Sequence, residues 1–148
     1  MAIEFYSTDD DLIKIRPNVL DLGVSDWEEQ SKEAFSVINR SIISKWYKEV
    51  AAEYDVEYRE TPFDPDKVDE TQLVRLSSYK TLELAYLHLM KDTPEPDGFE
   101  RQMKLFQGLY ATEFNNVLAS GIDYDWDESD TIEWDERLIP RQRRLKRA

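Results

Sequence analysis

The sequence predicts a mainly α-helical fold. It is a small bundle of three long helices plus a short N-terminal helix, with an extended C-terminal arm. Three observations carry this reading. Apolar residues recur at spacings of three and four over long stretches. The 4 glycines are too few for a turn-rich all-β fold. Prolines at 17, 62, 65, 94 and 96 divide the chain into helix-length pieces.

The elements follow in order. Thr8-Asp9-Asp10-Asp11 places a capping hydroxyl before three acids, which suits a helix N-terminus. That helix is short, because Pro17 biases Arg16 away from helical angles. Asn18 to Gly23 reads as a loop with apolar contacts from Val19, Leu20 and Leu22. Ser25 and Glu28 have the spacing of a capping box, with Val24 as the staple before it. Phe35, Ile38, Ile42, Trp46 and Val50 then line one helical face, so the second helix runs to about Glu53.

Residues 54–68 read as a loop, with a short extended piece at Val56–Tyr58. A third helix starts near Asp66–Asp69 and ends near Asp92. Its leucines, with Tyr86 and Met90, nearly encircle it, which marks a helix central to a bundle or shared with a neighbouring subunit. After the Pro94–Pro96 break, a fourth helix runs from about Asp97 to Ser120. Phe99, Met103, Phe106, Tyr110, Phe114 and Val117 form its core face, and Gly121 terminates it. The chain thus divides into a helical body, 1–121, and an arm, 122–148.

With 148 residues, 41% of them hydrophobic, the chain fits one domain around one core. No cysteine is present, which excludes disulfides, thiolate metal sites and a cysteine nucleophile. Met1–Thr8 lacks the basic-then-apolar pattern of a signal peptide. No apolar stretch reaches the ~20 residues that span a bilayer, so no membrane partner is expected.

Charge is unevenly placed. Residues 1–136 hold all 32 acids and 13 of the 19 bases, a net charge of −19. The other six bases lie in 137–148 with no acid. Such an acidic body is poorly suited to lying along nucleic acid. The basic end suits phosphate or an acidic groove on another protein.

Chemistry-bearing patterns are sparse. No phosphate loop, zinc spacing or nucleophile elbow is present, so the chain reads as non-catalytic. His88, the single histidine, reads as a partly buried structural residue. The segment Asp125–Glu136 can be aligned on a twelve-residue calcium loop. Its oxygen ligands would be Asp125, Asp127, Ser129, the Thr131 carbonyl and a bidentate Glu136. Asp130 stands where such loops need glycine, so a plain acidic turn remains the other reading.

Trp46 belongs to the core face of the second helix. Trp126 and Trp134 flank the acidic turn, outside the predicted core. They read either as anchors for a partner's pocket or as rings folded back on the body. Arg137, Leu138, Ile139, Arg141, Arg143, Arg144, Leu145, Lys146 and Arg147 interleave bases with apolar side chains. Segments that become ordered on binding a partner have this composition.

Four stretches together resemble a known family. They are Tyr6-Ser-Thr-Asp-Asp-Asp-Leu, Ile15-Arg-Pro-Asn-Val-Leu-Asp-Leu-Gly, Lys45-Trp46-Tyr47 and Gly121-Ile-Asp-Tyr-Asp. In these the chain resembles the head–tail connector, or adaptor, proteins of tailed bacteriophages, also called head completion proteins. The resemblance spans nearly the whole chain.

It implies a structural virion protein at the head–tail junction, assembled in the host cytoplasm. Such proteins form a ring, usually a dodecamer, beneath the portal protein. The ring extends the DNA channel and docks the next neck or tail protein. DNA passes through without specific binding, and the C-terminal arm engages the portal. Two other classes fit the same residues. One is a calcium-responsive binding module, and the other is an acidic protein that mimics nucleic acid.

Overall fold

A computed structural model describes residues 3–91 and 93–129. It is mainly helical, with packed helix pairs and no strand among the described residues. The sequence prediction of fold class therefore holds. The helices are α1 (Asp9–Ile15), α2 (Glu28–Ile42), α3 (Lys48–Ala51), α4 (Val74–Lys91) and α5 (Asp97–Ser120).

Helix α1 starts where expected. The Asp11 carboxylate accepts the Thr8 backbone N–H at 2.9 Å, so the cap is satisfied from inside the helix. It ends at Arg16, which is already extended (φ −132°, ψ 91°) ahead of Pro17. One 3₁₀ turn, Val19–Asp21, follows.

The start of α2 corrects the sequence reading. Ser25 does not cap it, and the helix begins at Glu28. Asp26 accepts the Glu28 N–H at 3.1 Å, and Asp9 accepts the Trp27 N–H at 3.2 Å. The delay has a packing reason. Trp27, outside the helical turn, is fully buried and donates its indole N–H to the Val19 carbonyl at 3.0 Å.

From Glu28 to Tyr54 the chain stays helical, interrupted by a π turn at Ile43–Tyr47. Neighbouring residues on a regular helix point ~100° apart, whereas the wider turn brings Trp46 and Tyr47 both into the core. The far end closes with Asp55 in the left-handed region (φ 57°). Val56 N–H reaches back to the Ala51 carbonyl at 3.0 Å and Asp55 N–H to the Ala52 carbonyl at 3.4 Å, a Schellman closure.

The approach to α4 also differs from expectation. Residues 65–73 form two 3₁₀ turns, Pro65–Lys67 and Glu70–Leu73, capped by the side chains of Asp64 and Asp69. Helix cannot start earlier because Val68 is extended and bridges antiparallel to Tyr124. Val56–Tyr58 does not form an extended strand piece.

Helix α4 is central, as its encircling apolar pattern predicted. It packs against α1, α2 and α5. Its first half feeds a cluster with Leu73, Leu76, Ile38, Ile42, Trp46, Tyr47, Phe114 and Ile122. Its second half feeds another with Leu82, Tyr86, Leu12, Val19, Trp27 and Phe106.

Between helices, polar atoms need partners. Ser7 and Ser77 share a buried 2.7 Å hydrogen bond that ties the N-terminal segment to α4. Ser7→Ala alone strands the Ser77 hydroxyl, so we expect a loss of ~1–3 kcal/mol in urea unfolding. The Ser7→Ala/Ser77→Ala pair should cost clearly less than the sum of the two singles. Strict additivity would contradict the coupling.

Candidate functional site

Helix α5 ends at Gly121, whose φ of 87° suits a residue without a side chain. The next residues turn back onto the body. Asp69 N–H donates to the Asp123 carbonyl and Asp125 N–H to the Lys67 carbonyl, each at 2.9 Å. Gln72 clasps the same stretch. Its side-chain oxygen accepts the Asp123 N–H at 2.8 Å, and its amide donates to the Gly121 carbonyl at 3.3 Å. The Tyr124 hydroxyl accepts the Asp64 N–H at 3.0 Å.

These bonds place Ile122 (0% exposed) and Tyr124 (3% exposed) in the core. Trp126 follows them. Its ring stacks on Tyr54 at 4.6 Å and 11°, and on Tyr47 at 5.5 Å and 5°. Trp46 and Tyr124 border it at 5.8 and 4.6 Å. The boundary expected at residue 121 is therefore not a packing boundary, and Trp126 does not stand clear of the body. The cause is the clasp from 64–72, which captures the chain immediately after the glycine turn.

Beyond Trp126 the chain is held by charge. Lys67 Nζ and a Glu128 carboxylate oxygen are 2.6 Å apart. Their hydrogen bond holds the Glu128 pKa below, and the Lys67 pKa above, its ordinary value. A depressed carboxylate stabilises above its unfolded pKa, and that contribution fades as pH falls through the folded one. The Lys67 share is present below the ordinary lysine range and lost as pH rises through the raised value. The link is thus complete at neutral pH. We expect acidification below the ordinary glutamate range to release Glu128, seen as a shift in the Lys67 side-chain ¹⁵N resonance. Glu128→Gln should abolish that shift.

Three of the five calcium-loop candidates are described. Ser129 N–H donates to a carboxylate oxygen of Asp125 and of Asp127, each at 3.1 Å. The Ser129 hydroxyl and amide hold the Asp127 pKa low. Asp125 is buried and Asp127 exposed. Among the described residues no group of three His, Asp or Glu side chains could hold a metal ion. Thr131 and Glu136 lie outside the described residues, as do Trp134, Arg137, Leu138, Ile139, Arg141, Arg143, Arg144, Leu145, Lys146 and Arg147.

His88 is exposed rather than partly buried, with its ring edge-on to Trp27 at 6.1 Å and 79°. No helix of the described residues is long and apolar enough to cross a membrane. The roles of Gln72 and Asp64 had no local signal, since each acts on a partner more than 45 residues away. Compared with family models, with curated proteins and with solved structures, this chain matches none.

Proposed function

We propose that the chain is a head–tail adaptor of a tailed-phage virion. In this reading, copies form a ring beneath the portal, extend the DNA channel and dock a neck or tail protein. One observation supports it above others. The four stretches that carry the family resemblance lie far apart in sequence, yet they supply interlocking core positions. Tyr6, Trp46, Tyr47, Ile122 and Tyr124 share one cluster, and Leu12 and Val19 belong to the other. Residues at such positions constrain the fold, so the reading rests on them more than on surface residues.

Charge supports the same reading. The body carries an excess of acids, so a channel lined by it repels phosphate and lets DNA slide. Bases concentrate in 137–148, where a basic, apolar-studded segment complements an acidic groove on the portal. A ring of identical copies would use heterologous contacts, one face against a different face of the next copy.

The test is binding of the full chain to portal rings at physiological salt. Wild type should co-sediment with the rings. The variant with Arg141, Arg143, Arg144, Lys146 and Arg147 all changed to Gln should lose most of that binding and keep its helical circular dichroism. Equal binding by both would exclude the arm as the portal-binding segment.

A further inference from the structure

Away from the C-terminal segment, a cavity of about 310 Å³ opens between the N-terminal segment and the start of α2. Phe5 forms an apolar wall. Asp9, Asp26, Glu28 and Ser31 also line the cavity. Ser31 is 2% exposed, and its hydroxyl oxygen has no hydrogen-bond partner. Buried hydroxyls are nearly always paired, so an unpaired one lining a cavity marks a place for a donor from elsewhere.

Charge selects the donor. Glu4 and Glu28 flank Lys32, at 3.5 and 3.3 Å, and Asp9 and Asp26 add two more carboxylates. The rim is therefore net acidic. The positive end of α2 does not reverse this, because Asp26 and Asp9 already take the Glu28 and Trp27 N–H groups. An apolar wall, an acidic rim and an unpaired acceptor together suit a lysine or arginine. Its stem can lie on Phe5 while its head meets the carboxylates and the Ser31 oxygen.

This chain contains such a ligand. Arg141-Gln-Arg-Arg-Leu-Lys-Arg interleaves bases with leucine and has no acid. Reach permits it. Glu128 is fixed at Lys67, and the neighbouring Asp66 accepts the Ile3 N–H at 3.0 Å. Five residues, at most ~18 Å, lead from Ile3 to Thr8 at the cavity. Twelve residues, up to ~40 Å when extended, lead from Ser129 to Arg141.

We propose that the cavity between Phe5 and Ser31 is a docking site for the basic segment Arg141–Arg147 of the same chain. The site would shield that segment from other acidic surfaces until a stronger competitor takes it. This goes beyond the adaptor reading and does not depend on a portal.

The full chain is suited to a test, since it has no cysteine to remove. Ala148→Cys carries a nitroxide spin label on ¹⁵N-labelled protein at low salt. The amide signals of Phe5–Asp9 and Asp26–Ser31 should lose most of their intensity. They should recover at about 0.5 M salt, where screening acts within a few ångströms. They should also recover in Asp26→Asn/Glu28→Gln, which keeps the helix-capping oxygen but removes two charges. No loss at these amides at low salt would overturn the proposal. So would loss unchanged by salt and by the double variant. A mixture of labelled ¹⁴N chains with unlabelled ¹⁵N chains should show no loss. Loss there would assign the segment to a neighbouring copy and overturn docking within one chain.

Discussion

A chain ended at Gly121 should fail to fold cooperatively, while one ended at Ser129 should unfold in a single transition near that of the full chain. The reason is the packing of three residues among those that only the shorter chain lacks. Ile122 is fully buried, Tyr124 nearly so, and Trp126 is stacked between Tyr54 and Tyr47. Their loss, with the cavities left around Trp46 and Tyr47, amounts to roughly 6–10 kcal/mol. Domains of this size are stable by only about 5–15 kcal/mol. Gln72 and the 67–69 backbone would also lose their partners. Circular dichroism and urea titration of the two chains check this. Equal stability would mean that 122–126 is an attachment to the body and not part of it.

The second large effect is at Trp27. Trp27→Ala should cost about 3–5 kcal/mol in urea unfolding, because a fully buried indole leaves a cavity that nearby helices cannot close. Trp27→Phe should cost less, since it keeps much of the packing and loses mainly the bond to the Val19 carbonyl. The site joins α1, the Val19–Asp21 turn and α4 in one cluster. A cost under about 1 kcal/mol for Trp27→Ala would contradict that joining role.

Much of the fold was legible because the signals were local. The Pro94–Pro96 break and Gly121 placed α5, and the all-round apolar pattern of α4 marked it as central. Pro17 and Gly121 ended helices as their backbone preferences require. What escaped was non-local. Ser25 and Glu28 have capping-box spacing, but burial of Trp27 moved the helix start two residues on. The π turn that brings Trp46 and Tyr47 inward together has no counterpart in a 3.6-residue pattern. Val68 pairs with Tyr124 across the body, which delays α4 and anchors the C-terminal segment.

The candidate site shifted for the same reason. Acidic composition made 122–129 look like the start of an arm outside the body. Its apolar residues, Ile122, Tyr124 and Trp126, alternate with acids over too few positions to stand out, and the aromatic and backbone partners of the segment lie in 46–72. Two of the buried residues are aspartates, Asp123 and Asp125, whose backbones pair with the 67–69 stretch. Composition weighs side chains and cannot see such backbone pairing. The body thereby extends at least to the Lys67–Glu128 contact instead of ending at Gly121.

The central claim is assembly beneath a portal. Electron microscopy of the full chain mixed with the portal ring of the same virion tests it directly. The expected result is a coaxial ring of copies beneath the portal, its bore continuing the portal channel and lined by the helical bodies. Portal rings without added density, with the chain remaining monomeric at saturating concentration, would contradict it.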